Sequence, residues 1–119
     1  MNLQQQEEQL KEFQDRMCKT IQGKGDDYAN EDRLSNFKLA GNIAGLSPEL
    51  NCLSLIATKV ARLGVLLHGQ NPNNESVSDS ILDLACYAAL LDMILFEKAR
   101  EATRAYNSAV KSISVDGIG

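Results

Sequence analysis

The chain has 119 residues, 44% of them hydrophobic, and a formal net charge of -4. That is enough for one domain with one core, and too apolar for disorder to be the default. The acidic balance excludes broad binding of a nucleic-acid polymer through a basic face, while a small anionic ligand needs only a local positive pocket.

No apolar run approaches the ~20 residues of a membrane span. The first ten residues, MNLQQQEEQL, have neither the basic start nor the apolar core of a secretory leader. A cytoplasmic protein is expected. Cys18, Cys52 and Cys86 are odd in number and widely spaced, matching neither a disulfide frame nor a zinc pattern. Each falls in or beside an apolar helical stripe, so all three are expected as buried free thiols. His68 is the only histidine, and its place near a helix end predicts a structural role.

Leu and Ala dominate the apolar set, which suits helix packing. Residues 2–22 read as an amphipathic helix, with Leu3, Leu10 and Met17 repeating at seven and Phe13 and Ile21 beside them. GKGDDYAN, residues 23–30, reads as a loop. Asn30 is placed to cap a second helix over 31–44, with Leu34, Phe37, Ala40 and Ile43 on its buried side and Gly45 ending it. Ser47-Pro48-Glu49 is a strong helix start. The third helix then runs to about His68 on a stripe of Leu53, Ile56, Val60, Leu63 and Leu67, widened by Leu55 and Leu66. So wide an apolar girth predicts a central helix. After a polar turn containing Pro72, a fourth helix capped by Asn74 or Ser76 runs unbroken from about 75 to 112. Its more polar second half is expected to project beyond the body and pair with another subunit.

Glu75, Asp79 and Asp83 recur every fourth residue at the start of that helix. They share a stripe about 80° wide with Cys86, Leu90 and Ile94, so the acids are expected to turn inward. Acids leading into an apolar stripe need a positive counterpart, because desolvated like charges repel. The counterpart is a divalent cation such as Mg²⁺, which takes carboxylate oxygens and water, or a basic side chain, or solvent in a cleft. Lys59 and Arg62, three apart on the third helix, either answer these acids directly or bind phosphate oxygens. In the loop, Gly25 allows close backbone approach to a ligand and Tyr28 offers a stacking face; beyond it, Arg33 follows and Asn36 offers a base or ribose contact.

In chain order, KGDDY, the Asn36-Phe37 pair, KVARL and ESVSDSILDLACYAALL resemble the nucleotide-modification-associated domain family, type one. These are small helical proteins, mostly phage-encoded, linked to nucleotide metabolism or modification. The resemblance spans residues 24–95 and leaves 96–119 as a helical extension and tail. It is most specific in the last motif, with Glu75, Asp79, Asp83 and Tyr87 in register. By position it also implies Lys24, Asp27, Tyr28, Asn36, Phe37, Lys59 and Arg62. A more distant similarity is to the all-α MazG-like nucleotide pyrophosphatases, which hold Mg²⁺ with paired acids on two helices. The chain departs from that pattern, since Lys59 and Arg62 stand where the second acidic pair would be. Cations facing acids suit binding better than two-metal hydrolysis.

The expectation is therefore a single all-α domain over 1–119, with a four-helix core and a long C-terminal helix, forming a homo-oligomer. Its expected function is to bind a small or signalling nucleotide in a mixed-charge interhelical pocket, in the host cytoplasm if phage-encoded, with turnover left open. Lys24, Asp27, Tyr28, Asn36, Lys59, Arg62 and Tyr87 would be ligand contacts, and Glu75, Asp79 and Asp83 would hold Mg²⁺. The alternatives are a Mg²⁺-dependent pyrophosphohydrolase of the MazG-like kind and a helical accessory protein. No membrane or nucleic-acid partner is expected.

Overall fold

The computed structural model describes residues 1–27, 32–69 and 76–118, with side chains for 1–23, 32–69 and 76–113. These residues form four α-helices and no strand: α1 (Leu3–Asp27), α2 (Ser35–Ala44), α3 (Pro48–Leu67) and α4 (Val77–Ile118). The all-α architecture with a long last helix is thus as the sequence predicts.

Helix α1 begins with a reciprocal cap. Gln5 N–H donates to Asn2 Oδ1 at 2.8 Å, and Asn2 N–H donates to Gln5 Oε1 at 2.9 Å. The helix continues through Gly23 to Asp27 rather than ending at 22. Each added residue closes another backbone hydrogen bond, which offsets the cost of about 1 kcal/mol for a helical glycine. Only the second half of the apolar stripe meets the body. Phe13, Met17 and Ile21 are half-buried, while Leu3 and Leu10 are exposed.

Helix α2 starts later than expected, at Ser35, and the Asn30 cap lies outside the described residues. Asp32 Oδ1 accepts the Leu34 N–H at 3.0 Å and organises the entry. Leu34 and Phe37 are buried as predicted, but Ile43 is 81% exposed. Gly41 takes the inward place instead. A β-carbon there would lie 2.6 Å from the Leu46 carbonyl oxygen, so only glycine admits the returning chain. Gly45 then turns left-handed at φ 73°, and the Leu46 N–H donates to Gly41 O at 2.7 Å.

Helix α3 opens as its sequence dictates. Ser47 Oγ accepts the Leu50 N–H at 3.2 Å, with Pro48 in the first turn. It is not enclosed, however. Cys52, Leu55, Ile56, Lys59, Leu63 and Leu66 face inward, whereas Leu50, Leu53, Val60 and Leu67 are exposed. The predicted stripe is therefore split between two faces, because only one side of α3 has helices against it. By composition α3 reaches the length and hydropathy of a possible span, 20 residues at mean hydropathy 1.6, but one such helix is weak support for a membrane segment.

Ser76 caps α4, its Oγ accepting the Asp79 N–H at 3.1 Å. The core lies between α2, α3 and the middle of α4. Leu34, Phe37, Cys52 and Ile94 are its buried members, with Leu55, Ile56, Tyr87, Leu90 and Leu91 packed on them. Cys86 is buried against α1 and directs its thiol to Met17 O at 3.9 Å. Every residue from 98 to 113 is exposed, so the distal part of α4 projects as a lone arm. The radius of gyration is 19.7 Å, against about 13.5 Å for a compact chain of this length.

Candidate functional site

Asp83 sits on the inward side of α4, one turn before Tyr87. Lys59 reaches across from α3, and Lys59 Nζ lies 2.9 Å from Asp83 Oδ2. The two side chains are 16% and 24% exposed, so this is a sheltered ion pair. One turn away, the Cys52 thiol donates to the Tyr87 carbonyl oxygen at 3.2 Å. Burial pushes the Cys52 thiol up from its ordinary pKa. The positive counterpart of the carboxylate row is thus a basic side chain at Asp83.

The rest of the row is not brought there. Asp79 is exposed in the first turn of α4, where its backbone N–H donates to Ser76 Oγ. Glu75 lies outside the described residues, as does Tyr28; of Lys24 and Asp27 only the helical backbone is described. Arg62 is exposed on α3, one turn beyond Lys59. Asn36 is exposed in the first turn of α2, and no described bond joins it to Lys59 or Asp83. Among the described residues no group of three His, Cys, Asp or Glu is placed to hold a metal ion. The thiols differ from expectation too: Cys52 and Cys86 are buried, but Cys18 is exposed, since it lies off the inward stripe of α1.

A second constellation escaped the sequence. Lys38 Nζ lies 2.6 Å from Asp32 Oδ2 and 2.5 Å from Glu97 Oε1, tying the α2 entry to α4. The Lys38 hydrogen bond, with the Leu34 N–H, holds the Asp32 carboxyl below its usual value. The two carboxylates in turn raise Lys38 above the ordinary lysine range. This triad borders a groove of about 620 Å³ between the α2 entry and α4. Leu34, Met93 and Phe96 give it an apolar side, and Phe96 is 67% exposed. Arg33 lines it while donating to Gln22 O at 2.9 Å. Arg100 and Arg104, four apart on α4, overhang it with Glu101. Lys38 and Glu97 are 59 residues apart, and no local pattern announces such a pair.

No family model, curated protein or solved structure matches the chain.

Proposed function

We propose that the protein binds a small phosphate-bearing aromatic ligand, a nucleotide, in the groove between the α2 entry and α4, without turning it over. The observation that supports this is the pairing of Arg100 and Arg104 with the exposed ring of Phe96 on one groove. Forked guanidinium donors suit phosphate oxygens, and an exposed ring suits a base. A volume of about 620 Å³ lies within the range of roughly 300–1,000 Å³ usual for small-ligand sites. Asp32, Glu97 and Lys38 already satisfy one another and would fix the wall rather than contact phosphate.

The Lys59–Asp83 pair supports a different role. One ammonium matched to one carboxylate between packed helices sets the register of α3 on α4 and leaves little charge for a ligand or metal. The groove, rather than the Lys59–Asp83 pair, is the proposed nucleotide site.

Titration calorimetry against a panel of linear and cyclic nucleotides, the matching nucleosides and inorganic phosphate tests this. At least one nucleotide is expected to bind more tightly than its nucleoside or phosphate alone. No binding across the panel would sink the proposal.

A further inference from the structure

Helix α3 carries a second, unpartnered face. Leu50, Leu53, Ala57, Val60, Gly64 and Leu67 follow alternating steps of three and four, and all are exposed. Leu50 is 51% exposed, Val60 53% and Leu67 71%. Steps of four and three keep residues on one seam, as in helices that pack along their length. Between Leu50 and Leu67 the seam carries no charge. Lys59 points to α4, and Glu49 sits at the edge, 3.3 Å from Lys98.

Gly64 is a second, independent sign. It lies inside α3, is exposed, and a β-carbon there would meet nothing within 4 Å. Within the protomer this glycine only weakens the helix. Beside Ala57 and Ala61 it leaves a shallow place with room for another helix backbone.

From these observations we propose that a second copy of this chain packs its α3 antiparallel on this face, across a two-fold axis near Ala57. The surface supports a second copy. The chain exposes 8803 Å², roughly 2,500 Å² above the about 6,300 Å² expected of a compact protein of its mass. The exposed α3 face shares that excess with the α4 arm and the first half of α1. An uncharged seam is self-complementary, as a two-fold interface requires. A lipid surface fits less well, for Lys98 at the edge is matched by Glu49 and the chain is acidic.

Analytical ultracentrifugation of the full chain at micromolar concentration tests this. The expected mass is twice 13.0 kDa. Gly64→Leu and Ala57→Glu are each expected to return it to 13.0 kDa with the helical circular dichroism unchanged. Ala57→Cys combined with Cys18→Ser is expected to cross-link to itself on oxidation, where Cys18→Ser alone does not. The proposal is overturned if the unaltered chain is monomeric, if both α3 variants stay dimeric, or if α3 binds phospholipid vesicles while the chain remains a monomer.

Discussion

Lys59 Nζ and Asp83 Oδ2 meet at 2.9 Å across the α3–α4 interface, with both side chains at least three-quarters sheltered. Removing one partner leaves the other charge desolvated, while removing both does not. Asp83→Leu or Lys59→Met alone is expected to cost about 1–3 kcal/mol of stability. The double variant should cost less than the two singles together. Urea unfolding of the four proteins gives the coupling directly. Additive losses would mean that the pair is not coupled.

The Lys38 triad makes stability depend on pH with a definite sign. Asp32 titrates below its unfolded value, so its contribution is complete above about pH 4 and is lost as pH falls through its lowered folded value. Lys38 is raised, so its contribution is complete below about pH 10 and fades only as pH rises through its folded value. Lys38→Met should therefore destabilise by a constant amount between about pH 5 and 9, and by less near pH 3. Denaturation of both proteins at pH 3 and pH 7 checks this.

Gly41→Ala is expected to destabilise by about 1–3 kcal/mol, because the new methyl would sit 2.6 Å from the Leu46 carbonyl oxygen. That oxygen is backbone in the turn joining α2 to α3, so it has little room to yield. A thermal melt that matches the unaltered protein would show that the turn relaxes without cost.

Thiol chemistry should separate the three cysteines. Cys18 is exposed, whereas Cys52 and Cys86 are 0% and 2% exposed. Burial also keeps Cys52 in its unreactive thiol form. One equivalent of a disulfide reagent should react quickly with the native chain, and three after unfolding. Three rapid equivalents in the native state would contradict the packing of α3 and α4.

Elements announced by local chemistry were legible. The Ser47-Pro48-Glu49 start, the Gly45 stop and the inward Cys86, Leu90 and Ile94 follow from capping and period alone. The Lys59–Asp83 pair was also within reach, because two stripes of opposite sign on neighbouring helices call for each other. What failed was the inference from apolarity to burial. Leu3, Ile43, Leu53 and Val60 have the right residue type and period but no helix opposite them. Periodicity names a face without saying what covers it. Lys38, Glu97 and the groove were invisible for a related reason: their meeting depends on how α2 crosses α4, which no local pattern encodes.

In the proposed site a nucleotide stacks on Phe96 with its phosphates on Arg100 and Arg104. The chain has no tryptophan, so Phe96→Trp would place a single reporter at the groove. Its fluorescence should fall saturably as a binding nucleotide is added, and the addition of Arg104→Glu should abolish that response without changing the melting temperature. An unresponsive tryptophan, or quenching indifferent to Arg104, would contradict the account.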